Sequence, residues 1–225
     1  MKIHQVIIKF PDINFDKKDT DKLLEYFRKL FKDHLSLLYF HFQNKINSNN
    51  YSLIQHKVIN GIPMIIGVEE GVELLISLFQ RIKELKFENG KYKIQKKNVN
   101  ENINEVKLTG EQHKYEFVTP WVSLNENNFK QYTKLKKDNK KNDISKLLSG
   151  ILIGNILSFF KTINYRASDS IFIKCDLSEN NIHSGNKSMM EFKGRFSANA
   201  LLPDLIGLGN SVLNGYGSIS KVYQK

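Results

Sequence analysis

The stretch Gly207-Leu-Gly209-Asn210-Ser-Val-Leu-Asn214-Gly215-Tyr-Gly217 places four glycines in eleven residues, behind Pro203 and an apolar run. Glycine clusters where the main chain must take positive φ or approach something closely, and backbone N–H groups exposed in such a turn hold anions. The spacing is neither G-x-G-x-x-G behind a strand nor G-x-x-x-x-G-K-[ST], so neither nucleotide fingerprint applies. An ordinary loop accounts for glycine spacing alone. Six histidines supply groups that move protons near neutral pH. His4 shares a strand face with Val6 and Ile8, and His56 shares one with Ile54 and Val58, so both suit packing positions. His113 precedes a strand and His183 sits in the polar run Asn180 to Asn186, which suits surface positions. His34 and His41 fall in an irregular stretch after the first helix.

The chain of 225 residues carries a formal net charge of +11, from 34 Lys+Arg against 23 Asp+Glu. That excess favours an anionic partner, nucleic acid or an acidic membrane surface. Part of it belongs to a general abundance of Lys, Asn and Ile and is discounted accordingly. Cys175 stands alone, which excludes an internal disulfide, and no Cys/His spacing suits zinc. A reducing cytoplasm fits. The first residues lack the apolar core of a signal peptide. The most apolar stretch, Leu147 to Phe160, is short for a membrane span and is interrupted by Ser149, Gly150, Gly154 and Asn155. It predicts a buried helix in a soluble protein.

The elements that must position these groups follow from periodicity. Residues 2–10 alternate as a strand, and Asp19 can cap a helix with Leu23, Leu24, Phe27, Leu30 and Phe31 on one stripe. Residues 33–50 lack periodicity and read as loop. Leu53 to Ile59 and Ile62 to Val68 flank Asn60-Gly61, a dipeptide suited to a type I′ hairpin, with Pro63 opening a strand or lying on an edge. Leu74, Leu75, Leu78, Phe79 and Ile82 recur at helical spacing behind Glu69-Glu70. Short strands are predicted at 85–87, 92–94 and 106–108. The order is βαββαβ, the ferredoxin-like split motif, which RNA-recognition modules also use.

The second half offers a strand at 115–118, a short helix at 125–135, a solvated basic link at 134–143 and the apolar helix at 144–163. Strands are predicted at 170–177, 189–198 and 218–223, with a turn or short helix at 203–206. The predicted fold class is therefore α+β, two tandem ferredoxin-like domains at 1–110 and 111–225, the second ending in the glycine-rich loop. No aromatic RNP signature is present, so base stacking on a sheet face is not expected.

Tyr115-Glu-Phe-Val-Thr-Pro-Trp121 through Tyr132, Lys146-Leu-Leu-Ser-Gly-Ile-Leu-Ile-Gly-Asn-Ile-Leu-Ser158, Glu191-Phe-Lys-Gly-Arg-Phe-Ser-Ala-Asn199 and Leu202-Pro-Asp-Leu-Ile-Gly-Leu-Gly-Asn-Ser211 resemble one family. It is the C-terminal half of the CRISPR-associated endoribonucleases of the RAMP superfamily, which process precursor CRISPR RNA. Tyr51 to Val68 is similar to that family's central hairpin. The resemblance implies two ferredoxin-like domains, a glycine-rich C-terminal loop and metal-independent cleavage without a cofactor. In that reaction the RNA's own 2′-hydroxyl attacks the adjacent phosphate, leaving 2′,3′-cyclic phosphate and 5′-hydroxyl ends. A base, an acid and positive charge at the phosphorus would be needed.

The family often carries Leu-Leu-His-x-His after the first helix. The matching stretch here is Leu37-Leu38-Tyr39-Phe40-His41, so Tyr39 replaces the first histidine. The resemblance implies His41 as general base or acid, with His34 and Tyr39 as partners and Lys45 and Lys57 as sources of charge. Relatives also place basic residues in the glycine loop where this chain has Asn210 and Asn214. Lys187, Lys193, Arg195 and Lys221 would then supply charge to RNA held at Gly207, Gly209, Gly215 and Gly217. The expected partners are CRISPR repeat RNA and other CRISPR effector subunits, with no membrane, in a cytoplasmic monomer or homodimer. A non-catalytic RNA-binding subunit is the alternative: the histidine-bearing segment 33–42 favours the enzyme, and the Tyr39 replacement weakens that preference.

Overall fold

Both halves of the chain build a four-stranded antiparallel sheet with the same strand order. The computed structural model describes residues 1–15, 20–30, 52–80, 82–87, 90–184 and 187–223. Two units result. The first comprises Met1–Glu105 together with Val212–Gly215, and the second Val106–Ser211 with Tyr216–Lys225.

The first unit runs β1 (Lys2–Lys9), α1 (Thr20–Leu30), β2 (Ile54–Ile59), β3 (Ile62–Val68), α2 (Glu70–Phe79), β4 (Glu84–Phe87), β5 (Gly90–Lys93) and β6 (Asn98–Glu105). Its sheet has the order β2-β3-β1-β6, the ferredoxin-like arrangement, and β4–β5 form a separate two-stranded ladder. Alternation in β1 sends Val6, Ile8 and Phe10 to one face, where Leu23 and Phe27 of α1 and Val72 and Leu75 of α2 close the core. The hairpin turns at Asn60 (φ 51°) and Gly61 (φ 78°), the two consecutive left-handed residues that a type I′ turn requires. Glu69 precedes α2 with a positive φ (52°), and its Oε1 accepts the His4 N–H at 3.0 Å.

The fourth strand departs from expectation. Residues 98–105 pair along the whole of β1, from Lys2↔Glu105 to Lys9↔Asn98, whereas residues 107–108 open the next unit's first strand. Asn98-Val-Asn-Glu-Asn-Ile-Asn-Glu105 is almost wholly exposed. It is an edge strand held by backbone bonds, so its side chains carry no apolar alternation.

The second unit runs β7 (Lys107–Phe117), α3 (Glu126–Lys137), α4 (Lys141–Thr162), β8 (Ile173–Ser184), β9 (Lys187–Leu201) and β10 (Ile219–Lys221), in the sheet order β10-β7-β9-β8. That is again the ferredoxin-like order. A second helix would join the third strand to the fourth in that fold; here residues 202–218 do so, with one 3-10 turn, Val212–Asn214. Trp121, Tyr115, Phe192 and Phe196 form the aromatic centre of the core. Asn155 of α4 accepts hydrogen bonds from Trp121 Nε1 (3.1 Å) and Ser123 Oγ (2.9 Å), which explains a polar residue on an apolar helix. The basic link shortens to residues 138–140, and Lys136 at the end of α3 pairs with Glu179.

One expectation is overturned. The apolar helix is not enclosed: only 28% of its most apolar stretch is buried. It has the length and composition of a membrane span, yet its inner face packs on β8.

Candidate nucleic-acid interface

Three consecutive polar residues, Gln55-His56-Lys57, interrupt the apolar strand β2, and all three are buried. Alternation sends them to two faces. His56 turns toward α1, with its ring centroid 6.3 Å from that of Phe27, in the packing position its neighbours predict. Gln55 and Lys57 lie on the opposite face of the sheet, with Met64, Ile66, Ile7 and Gln5. The two glutamines there are anchored: Gln55 Nε2 donates to Ser52 O at 3.0 Å, and Gln5 Oε1 accepts from Asn104 Nδ2 at 3.0 Å.

Lys57 has no such anchor among the described residues. It is 0% exposed, and its Nζ makes no hydrogen bond. Burial without a countercharge disfavours the ammonium, and the pKa falls to about 7. A side chain in that condition stands between two protonation states at neutral pH. It can hold a positive charge beside an incoming anion, or give up a proton. Buried lysines of this kind destabilise a fold, so their positions are those where a function can compensate.

The glycine-rich segment reaches the same unit. Its 3-10 turn Val212–Asn214 packs against β2 and α1, and Val212–Gly215 belongs to the first unit. The remainder stays with the second. Two of its glycines are demanded by close packing. A Cβ on Gly209 (φ 100°) would stand 2.7 Å from Trp121 Nε1 and from Val122 O, and one on Gly217 (φ 69°) would run into the Leu208 carbonyl oxygen. The N–H groups of Leu208, Asn210, Gly215 and Gly217 donate to Gly217 O, Val122 O, Val212 O and Pro120 O, at 2.7–3.0 Å. Gly207 forms a bridge with Ser218. These donors hold the segment's own shape, so an anion here would meet side chains such as the exposed Asn210 and the half-buried Asn214.

The second unit presents one sheet face without helices. Lys193 and Arg195 of β9 share it, as alternation requires, and both are exposed. Register adds Lys174 and Asp176 from β8 and Lys114 and Glu116 from β7. Arg195 Nη2 lies 3.0 Å from Glu116 Oε2, so part of its charge is already matched. Lys221 is elsewhere. It pairs with Tyr115 on the helix-covered face, its Nζ 5.7 Å above the Tyr223 ring. His113 occupies that face too; burial, with Lys221 adding to it, holds its pKa below the ordinary histidine value, and it contacts Thr109 Oγ1 at 2.9 Å. Lys187 opens β9 opposite Ser184. His4 is half-exposed, with Nε2 3.4 Å from Glu101. His34, Tyr39, His41 and Lys45 lie outside the described residues, as does the Asp19 cap. Periodicity did not distinguish Lys57 from other strand lysines. The readable signal was the run of three polar residues inside a strand whose neighbours are apolar.

The Cas6b N-terminal domain family matches residues 1–105, and the Cas6b C-terminal domain family matches residues 107–222. The chain belongs to the Cas6b family. It is similar to a solved structure described as Cas6b, with 33% identity and a TM-score of 0.87 over 99% of this chain and 100% of that one. A second structure, described as the CRISPR RNA processing endoribonuclease Cas6b, shares 31% identity at a TM-score of 0.78, over 99% and 100%. An uncharacterized protein of Methanocaldococcus jannaschii, MJ0978, is 33% identical over 63% of this chain and 94% of its own. The Cas6b likeness accords with the tandem ferredoxin-like organisation described above.

Proposed function

We propose that this Cas6b chain is an endoribonuclease that cuts precursor CRISPR RNA within its repeats. The observation that carries the reading is the match over nearly the whole chain to Cas6b, including a structure described as a CRISPR RNA processing endoribonuclease. Cleavage proceeds without metal. The 2′-hydroxyl loses its proton and attacks the adjacent phosphorus, the bond to the 5′ oxygen breaks, and that oxygen takes a proton. The products carry a 2′,3′-cyclic phosphate and a 5′-hydroxyl. His41 acts as general base or acid, with His34 and Tyr39 as partners.

Lys57 supports the same chemistry. A buried amine poised near neutrality on β2 is a source of positive charge for a pentavalent phosphorane. Lys45 has the same role. RNA is held by the open face of Lys193 and Arg195, by Lys187 and Lys221, and by Asn210 and Asn214 around Gly207, Gly209, Gly215 and Gly217. The enzyme works in the cytoplasm, with other CRISPR effector subunits as further partners.

The deciding experiment incubates the protein with labelled repeat RNA in EDTA and analyses the ends. One cut with a cyclic phosphate end is expected. Tight binding without a cut would favour the non-catalytic subunit, the reading to which Tyr39 at the expected histidine position lends weight. A cut that requires added metal would overturn the proposed mechanism.

A further inference from the structure

The two-stranded ladder β4–β5 is an insertion. A ferredoxin-like unit passes from its second helix directly to its fourth strand, whereas here the ladder intervenes between α2 and β6. One face of it is fixed to the first unit. Leu85 is buried in that unit's core, Tyr92 meets the Phe15 ring edge-on at 5.0 Å, and the Tyr26 hydroxyl donates to Glu84 O at 2.8 Å. The register sets Glu84 opposite Lys93, Leu85 opposite Tyr92 and Lys86 opposite Lys91. Alternation therefore turns Glu84, Lys86, Lys91 and Lys93 to the outer face, where all three lysines are exposed.

That face carries more positive charge than the fold can use. Lys86 Nζ lies 2.7 Å from Glu84 Oε1, and the Lys86 hydrogen bond, with the charges of all three lysines behind it, holds the Glu84 carboxyl below its ordinary pKa. One carboxylate thus serves three ammonium groups. Lys86 and Lys91 also stand directly across the ladder from each other, a placement in which like charges destabilise a strand pair. Residues 83–97 hold six lysines against two glutamates, so fifteen residues supply +4 of the chain's +11. Folding gains nothing from this concentration, and a bound anion would relieve it. Lysines two apart on a strand are separated by about 7 Å, a step that neighbouring phosphates of a flexible RNA strand can follow. Lysine meets phosphate as a point charge and reads no base. A lipid surface would need apolar side chains beside the charges, and positions 84, 86, 91 and 93 offer none.

We propose that the outer face of β4–β5 is a track for the RNA backbone, with Lys86, Lys91 and Lys93 each meeting a phosphate. It rests on the endoribonuclease reading and extends it, because Lys187, Lys193, Arg195 and Lys221, the cations assigned to holding RNA above, all belong to the second unit. The ladder gives the first unit a hold of its own. It grips RNA of any sequence and acts on affinity rather than on bond breaking.

Fluorescence anisotropy of labelled repeat RNA with the full chain, from about 50 to about 200 mM salt, tests it. In the triple variant K86Q/K91Q/K93Q the slope of log K against log salt should flatten by about 2, at about 0.7 per lost phosphate contact. A scrambled RNA of the same length should show the same flattening. In single-turnover cleavage the loss should appear in the protein concentration needed for half-saturation and not in the plateau rate. K86R/K91R/K93R should restore the slope, since charge and not shape is at issue. The control K134Q/K137Q/K141Q removes equal charge from exposed positions on α3 and α4 and should leave the slope within about 0.5 of wild type. Far-UV circular dichroism unchanged from wild type shows that the variants fold. If wild type binds and cuts the RNA but the K86Q/K91Q/K93Q slope equals its own, the ladder is overturned and the enzyme reading stands. An equal flattening in the control also overturns it, because net charge alone would then explain the effect. So does binding of polyglutamate that the triple variant loses while its RNA slope is unmoved, which assigns the face to an acidic protein. A wild type that neither binds nor cuts repeat RNA removes both readings together.

Discussion

Replacing Lys57 by methionine keeps most of the side-chain volume and removes the amine, so stability and function should move in opposite directions. The folded-state pKa is about 7 against an ordinary value of 10.5. Below pH 7 the lysine is protonated in both the folded and unfolded states, and the full charging penalty weighs on the fold. Between pH 7 and 10.5 the unfolded chain binds a proton that the folded one does not, so wild-type stability rises with pH at about 1.4 kcal/mol per unit. Methionine has no such dependence. The advantage of Lys57→Met is therefore greatest at pH 6 and shrinks by up to about 3 kcal/mol by pH 9. At roughly 2–4 °C per kcal/mol for a chain of this size, the difference in Tm between variant and wild type should narrow by about 6–12 °C. Differential scanning calorimetry of both proteins across pH 6–9 reads it directly, and titrations common to both cancel in the difference. RNA cleavage by the variant should fall by about a hundredfold. A variant less stable than wild type at pH 6, or a gap that ignores pH, would mean that Lys57 is paired in the native protein. Undiminished cleavage would remove it from the proposed chemistry.

Three further outcomes follow from the same structure. His41→Ala should lower the single-turnover cleavage rate by about 10²–10⁴, with RNA binding retained in a gel-shift assay. Lys193→Ala and Arg195→Ala should each weaken RNA binding and flatten the slope of log K against log salt by about 0.7; a slope unchanged in both variants would take the open sheet face out of the interface. Gly217→Ala forces a Cβ into the Leu208 carbonyl at positive φ, and should cost at least about 2 kcal/mol, seen as a fall in Tm of about 4–8 °C.

The parts of the fold that were legible in the sequence are those where side chains, rather than backbone, decide the structure. Asn60-Gly61 announces its turn because two consecutive left-handed residues admit few other dipeptides. The stripes of α1 and α2 are equally plain, since each has one wet face and one dry. Strand β6 was hidden because backbone pairing with β1, rather than apolar side chains, holds it in the sheet, and asparagines line one of its faces from end to end. The length of β7 was hidden for a similar reason: its middle, Gly110–Gln112, is exposed and without apolar residues, and buried alternation appears only at Tyr115 and Phe117. Helix α4 misled in the other direction. Hydrophobicity records what a residue would prefer to touch, not whether its own chain provides it, and the outer leucines and glycines of α4 read the same as the buried ones. At the candidate site, the resemblance implied Lys57, with Lys45, as a source of charge; the sheet's alternation and the residue's burial add that its amine has no hydrogen-bond partner among the described residues.

The assignment of Val212–Gly215 to the first unit has a practical corollary for anyone dissecting the protein. A fragment ending at Glu105 would lack four residues borrowed from more than a hundred positions downstream, and would leave β2 and α1 bare where the 3-10 turn covers them. The first unit is thus completed only after residue 215 has been synthesised. Co-expressed halves, or a circular permutant that brings the turn next to β2, are the sounder routes to studying it by itself.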